Sequence, residues 1–303
     1  MRNTYSRTAQ SMAVLRAIEY RGRPQREQIL SDPWAWQFIP SIGWRLASGF
    51  PLTARLVSAA VRLWIPGAQE YALARARFVD DATARLAHEG LEQLVVLGAG
   101  FDTTVFRLRD QLNDVRVFEV DHPATQEAKR TMLGRQRLPH PVQFVSVDFE
   151  RESIVERLQQ VGFEPCRRTL LTWLGVSYYL TPDAANKTMD QAAHLLWPGS
   201  RFIFDFVPPE AQNGAMTDKA LRSGLREATR LGEPFLCGLD PNSLPDRLGQ
   251  FGFHQLGCYD YNWLRRRFCK GDRAPVRFMW IAEAERELSL CRSTSSVVPR
   301  LPD

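Results

Sequence analysis

At 303 residues, with 44% hydrophobic and 24% charged side chains, the chain falls among globular proteins and outside the disordered and fibrous classes. Its 39 basic residues against 34 acidic ones give a net charge of +5, spread along the chain rather than gathered on one segment. That argues against a nucleic-acid binder, and the one dense cluster, Arg265-Arg266-Arg267 with Lys270, reads as solvated loop charge. No run approaches the ~18 uninterrupted apolar residues of a spanning helix, and Arg16 and Glu19 cut short any export signal. Five scattered cysteines and five scattered histidines form neither a disulfide framework nor a metal-ligand spacing. A cytoplasmic protein without a metal is expected.

Residues 1–88 carry helical periodicity and no clear strand. Met12, Leu15, Ala17 and Ile18 share one helix face, and Leu46 to Leu63 fit further helical pieces broken at Pro51 and Pro66. Tyr71–Leu86 reads as a third helix. From Leu94 the rhythm changes to short apolar strands, at 94–97, 115–120, 142–147, 170–173 and 202–207. Helical stretches at 124–133, 153–161 and 184–196 alternate with them. Thr181 with Pro182 is a good start signal for the last of these. Helices at 218–231 and 243–251 and strands at 255–259 and 276–282 complete the reading. The tail, 289–303, is expected to be loose. The alternation implies an α/β, Rossmann-like parallel sheet with helices on both faces, residues 89–288, behind a helical cap of residues 1–88.

Chemistry concentrates at the strand tips. After the first strand runs Gly98-Ala99-Gly100-Phe101-Asp102-Thr103. Glycines here let the backbone approach a ligand where a Cβ would clash. A dinucleotide site would continue to a third glycine and cradle a pyrophosphate. Thr103 stands in that place, and Asp102 would repel the phosphates. A cationic, phosphate-free nucleoside, S-adenosylmethionine, suits the turn better. Asp121, at the second strand tip, is placed to accept both ribose hydroxyls. Asp148-Phe149, at the third, can bond the adenine amino group and cover its face.

These motifs, with Ser6–Ala13, Asp32-Pro-Trp-Ala35, Ala74–Asp80, Phe118–Pro123, Trp173–Leu180 and Gly232-Glu-Pro-Phe235, resemble the leucine carboxyl methyltransferase family in its bacterial branch. That branch includes polyketide O-methyltransferases. The resemblance covers residues 1–285. It implies a seven-stranded sheet with the last strand antiparallel, S-adenosylmethionine as methyl donor, and a small-molecule acceptor. By motif match, Arg75 would bind the donor's methionine carboxylate, a bidentate pairing suited to guanidinium, with Arg16 a second candidate from the cap. Gly98, Ala99 and Gly100 would shape the donor site, Asp121 would hold the ribose, and Asp148 and Phe149 the adenine. Many members carry Glu where this chain has Leu174, which would leave backbone contact at Gly175 instead.

A carboxylate acceptor is ionised at neutral pH and needs no base, whereas a phenol, with a pKa near 10, benefits from one. No histidine occupies a motif position suited to that work. The expected reaction is therefore O-methylation of a carboxylate on a small molecule or natural-product intermediate, with a phenolic or hydroxyl acceptor as the alternative. Arg7 and Arg77 are candidates for holding the acceptor. Tyr178 and Tyr179 are candidates for the pocket wall and the only catalytic ones. The aromatics Trp34, Trp36, Phe38, Trp44 and Phe50 are read as the cap's own small core, with contact to an apolar or planar acceptor as the alternative. An NAD-dependent oxidoreductase and a non-catalytic donor-binding protein are the rival classes.

Overall fold

The computed structural model describes residues 5–134 and 138–287. Four helices come first: α1 (Arg7–Gly22), α2 (Ile42–Gly49), α3 (Pro51–Trp64) and α4 (Ala68–His88). The Ser6 hydroxyl caps α1 by accepting the Ala9 N–H, and Pro51 opens α3 at its first turn, where a missing N–H costs nothing. Pro51 therefore starts a helix as well as separating two.

The sheet follows as β1 (Gln93–Leu97), α5 (Thr104–Arg107), β2 (Arg116–Asp121), α6 (Pro123–Leu133), β3 (Val142–Ser146), α7 (Ile154–Gln160), β4 (Thr169–Trp173), α8 (Pro182–Leu195) and β5 (Arg201–Phe206). Then come α9 (Pro209–Gln212), α10 (Lys219–Arg230), α11 (Leu244–Gln250), β6 (Phe253–Tyr259), α12 (Tyr261–Phe268) and β7 (Trp280–Arg286). The strand order is β3-β2-β1-β4-β5-β7-β6. The first five strands run parallel, and β7 is antiparallel to both neighbours, pairing Phe204 with Ala282 on one side. Strands β4 and β5 are buried almost throughout because helices cover both faces, which is why they read as continuous apolar runs.

Two apolar layers result. One packs α1 and α4 against the sheet through Leu94, Leu170 and Ile203; the other packs α7, α8 and α11 against Val95, Leu171 and Phe204. The expected elements are present with small shifts, except at two places. Val276, Phe278 and Met279 are buried outside any strand, and β7 begins only at Trp280. The basic cluster 265–267 lies on helix α12, capped by Asp260 accepting the Trp263 N–H at 2.8 Å, not on a loop. The tail expected at 289–303 lies outside the described residues. Among the described residues no helix is long and apolar enough to cross a membrane, and no His/Cys/Asp/Glu group could hold a metal.

The cap aromatics divide. Phe38 is buried, and it and Trp34 pack at a tilt against Phe106, with ring centroids at 5.5 and 5.2 Å from it. Trp44 and Phe50, expected in the same core, point to solvent.

Candidate active site

A crevice of about 780 Å³ opens over the C-terminal ends of β1, β2, β3 and β4, where a parallel sheet places its ligands. This volume lies in the upper part of the range of about 300–1,000 Å³ for small-molecule sites. Helices α1 and α4 supply one wall through Met12, Arg16 and Arg75, and residues 232–236 another.

The floor is the turn after β1. Gly98 and Gly100 both have positive φ, +67° and +51°. A Cβ at Gly98 would stand 2.2 Å from the Val176 methyl group, so the glycine is needed for the neighbouring loop as well as for the turn. The N–H groups of Gly98 and Ala99 are taken by the Val120 carbonyl at 2.8 and 3.1 Å. They offer a ligand surface and carbonyls, not donors. Helix α5 is one turn long, and the Asp102 carboxylate accepts the Thr104 N–H at 2.7 Å. The Thr104 N–H is therefore occupied, as are those of Phe106 and Arg107, which bond the Thr103 carbonyl, so the turn is poorly suited to cradle a phosphate. Burial alone would raise the Asp102 pKa, but the charges of Arg107, Lys129 and Arg16 outweigh it and hold it below its ordinary value.

Asp121 ends β2 with its carboxylate accepting the N–H groups of Gly100 and, at 2.6 Å, His122. Each oxygen can accept a further hydrogen bond, as a ribose diol requires. Burial pushes the Asp121 pKa up to about 6 despite these N–H donors. Asp148 and Phe149 also line the crevice; the Asp148 carboxylate accepts the Glu150 N–H at 3.1 Å.

Arg75 projects from α4 into the crevice, and its guanidinium lies over Gly175, where a Cβ would approach it to 3.0 Å. Its Nη1 donates to Asp205 at 2.7 Å and to the Tyr178 hydroxyl at 3.4 Å. Asp205, fully buried in β5, also accepts the Gly175 N–H at 2.7 Å and the Tyr71 hydroxyl at 3.2 Å. The backbone contact anticipated at Gly175 is thus spent inside the protein. Burial would favour the neutral form of Arg75, but Asp205 overcomes it and keeps the guanidinium charged.

A second network braces the cap. Arg107 grips Asp80 through Nε and Nη2 at 2.7 and 2.8 Å and reaches Asp32 at 3.3 Å. Arg16 donates to Asp32 at 2.9 Å and to the Phe101 carbonyl at 2.6 Å. Arg16 is thereby tied to the turn that shapes the floor. Neither Asp205 nor Arg107 was singled out by sequence.

The acceptor candidates separate. Arg77 pairs outward with Asp81 at 2.7 Å, and Arg7 is exposed at the start of α1; neither lines the crevice. The cap-side cations that do line it are Arg16 and Arg75. Tyr179 lines it, whereas Tyr178 is buried behind, edge-on to Tyr179 and tilted against Phe235. Glu233 lines the crevice too, accepting the hydroxyls of Ser6, at 3.2 Å, and Thr8. This joins the start of α1 to the 232–236 loop. Sequence gave Glu233 no role beyond its motif.

Open sheet topology, an antiparallel final strand, and glycine and acid at successive strand tips define the fold of the S-adenosylmethionine-dependent methyltransferases. Solved structures share it: a DUF574 family protein of Streptomyces avermitilis superposes with a TM-score of 0.61, covering 91% of this chain and 97% of its own at 15% identity. A structure titled as a candidate methyltransferase of Thermobifida fusca gives 0.57, covering 79% and 91% at 19% identity. The family model for leucine carboxyl methyltransferase matches residues 9–193, and the chain belongs to that family. Its sequence relatives include a protein of Mycobacterium avium, 32% identical over 78% of this chain and 76% of its own length. Another is YktD of Bacillus subtilis, 34% identical over 54% of each chain. The match thus spans about half of YktD. Both are named as candidate S-adenosyl-L-methionine-dependent methyltransferases.

Proposed function

We propose that the protein transfers a methyl group from S-adenosylmethionine to a carboxylate oxygen of a small molecule, giving a methyl ester. The methyltransferase assignment follows the family. The donor fits the residues present: an acid-lined floor poorly suited to cradle a phosphate, Asp121 at the ribose position, Arg75 at the methionine carboxylate, and Asp148 with Phe149 at the adenine. When bound, the donor supplies an electrophilic methyl on a sulfonium. The chain's own residues hold the two reactants in line, a contribution of up to roughly 7–11 kcal/mol in favourable intramolecular models.

The observation carrying the carboxylate reading is the state of the proton-accepting groups around the crevice. His122, its one lining histidine among the described residues, accepts the Ala124 N–H at 3.3 Å as the cap of α6. Burial pushes the Tyr178 hydroxyl well above the usual phenol range, and burial together with the Glu233 charge does the same for Tyr179. Neither tyrosine serves as a base near pH 7. A carboxylate acceptor requires none, so its rate at saturating donor is expected to be flat from about pH 6 to 9. A phenol deprotonated without help would gain about tenfold per pH unit over that range. The Glu233 carboxylate favours a second reading, in which it takes the proton of a hydroxyl acceptor. The product decides: mild alkali releases methanol from a methyl ester and leaves an aryl methyl ether intact. An alkali-stable product would overturn the carboxylate and leave methyl transfer standing.

Asp121 sets a pH limit on donor binding. Its carboxyl must be ionised to accept both ribose hydroxyls, and its pKa is raised to about 6 by burial. Donor affinity is therefore expected to be full above that value and to fall as the pH drops through it, approaching tenfold per unit below. Asp121→Ala should weaken binding by about 1–3 kcal/mol at pH 8 and abolish this dependence. Calorimetry from pH 5 to 8 on both proteins checks it; a wild-type dissociation constant independent of pH would move the ribose contact elsewhere.

A further inference from the structure

Helices α2 and α3 carry apolar side chains that nothing among the described residues covers. On α2 and the link beyond it, Ile42, Trp44, Leu46 and Phe50 are exposed, and on α3 Leu52, Leu56, Leu63 and Trp64 are too, all eight to between 45% and 75%. Aromatic side chains hold about 150–250 Å² each. With the aliphatic ones somewhat smaller, the eight expose on the order of 1,000 Å². Trp44 lies on the other side of α2 from Ile42 and Leu46; without it the sum still exceeds the few hundred Å² usual for a monomer's largest patch and is comparable to the ~800 Å² each partner gives to a standard interface.

The opposite side of α3 is also apolar or uncharged: Ala54 and Ser58 are buried against the rest of the cap. The outward positions Leu52, Leu56, Ala59 and Leu63 follow a four-three-four spacing, the narrow seam by which one helix packs against another. Between Asp32 and Glu70 the sequence has no acid and no lysine, only Arg45, Arg55 and Arg62 as charges. That depletion of Lys, Asp and Glu, with Trp, Phe and Arg present, is the composition of protein interface cores.

The occupant follows from the charges. A helix lying on an anionic lipid surface uses free cations along its polar side. Here Arg55 donates to the Gly22 carbonyl at 3.0 Å and Arg45 to the Gln37 carbonyl at 3.2 Å, over the Trp36 ring. Arg62 lies 3.8 Å from Glu70 and 3.9 Å from Asp272. All three cations are engaged within the chain, so the face offers apolar surface without a charge pattern that a particular partner would have to match. Such a face is self-complementary, as a two-fold interface requires, and the interfaces of homodimers are the most apolar class. We infer that the α2–α3 face joins two copies of this chain into a symmetric homodimer. The seam then lies one helix away from the crevice, because α3 packs on α1 where Gly22 meets Ala54, and α1 carries Met12 and Arg16 of the crevice wall.

Sedimentation equilibrium of the full chain tests this. The wild type is expected at twice the chain mass at micromolar concentration, and Leu56→Arg/Leu63→Arg at the chain mass with unchanged far-UV circular dichroism. Leu256→Arg, an exposed substitution on β6, should remain dimeric. Should the double variant fail to fold, Ala59→Lys, at an exposed position, replaces it with the same expectation. A wild type at the chain mass throughout that range overturns the proposal, as does a folded seam variant that stays dimeric. A monomeric wild type that floats with phosphatidylglycerol vesicles would assign the face to lipid and overturn it equally.

Discussion

Arg107→Ala is expected to cost about 3–5 kcal/mol of stability, because removing one member of a buried ion pair leaves the other uncompensated. The Arg107 side chain is 4% exposed and holds Asp80 with two hydrogen bonds while also contacting Asp32 and, at 3.0 Å, the Thr104 hydroxyl. Asp32 would keep Arg16, but Asp80 would keep no cation that the native geometry places against it. For a chain of this size the loss corresponds to a fall in Tm on the order of 10 °C. The effect should depend on pH. Burial already raises the Asp80 pKa against the pull of Arg107, and the substitution removes that pull, so the pKa climbs further. A carboxyl whose folded pKa lies above its unfolded value stabilises the fold at low pH and loses that contribution as the pH rises through the folded value. The variant should therefore recover relative to wild type on acidification. Urea unfolding at pH 5 and pH 8 measures both effects. A loss below 1 kcal/mol at pH 8 would mean that water reaches Asp80 and that this network does not brace the cap.

Arg75→Ala should raise the donor dissociation constant at least tenfold, since charge-assisted bidentate pairs are roughly twice as strong as neutral hydrogen bonds. The geometry makes Arg75 the α4 arginine to test: it lines the crevice, whereas Arg77 pairs outward with Asp81. Arg77→Ala should leave donor affinity unchanged. Arg75 also neutralises Asp205, so a loss of binding in Arg75→Ala could come from a disturbed β5. Asp205→Asn separates the two effects. It keeps a side-chain oxygen for the Gly175 N–H and retains the guanidinium, so it should weaken donor binding less than Arg75→Ala does. Equal effects on affinity, with unfolding transitions intact, would shift the role from direct contact by Arg75 to the pair as a positioning unit.

Much of this was legible in the sequence, and for identifiable reasons. Strands buried on both faces read as apolar runs, and Asp121, closing β2, stands out against that background. Helix α12 escaped because only Leu264 of its eight residues is fully buried, so it has no apolar stripe; its signal was Asp260, three residues ahead of Trp263, in capping position. Strand β7 was placed too early because Val276, Phe278 and Met279 are buried outside any strand and read as strand. The Arg107–Asp80–Asp32 network joins residues far apart in the chain, which neither periodicity nor spacing can bring together. Asp205 did carry a signal: a lone acid between Phe204 and Phe206 inside a buried run needs a buried cation, and Arg75 is it. Trp44 and Phe50 were placed in the cap core because aromatic composition alone does not tell a core from a face awaiting a partner.

The most direct measurement is calorimetric titration of the wild-type protein at pH 8 with S-adenosylmethionine and, separately, with NAD. The turn after β1 has Asp102 accepting the Thr104 N–H, and the N–H groups of Gly98 and Ala99 are engaged with Val120, so it suits a cationic nucleoside better than a pyrophosphate. Saturable binding of one S-adenosylmethionine per chain, with no heat from NAD, is the expected result. Binding of NAD with none of the methyl donor would contradict the assignment of the site.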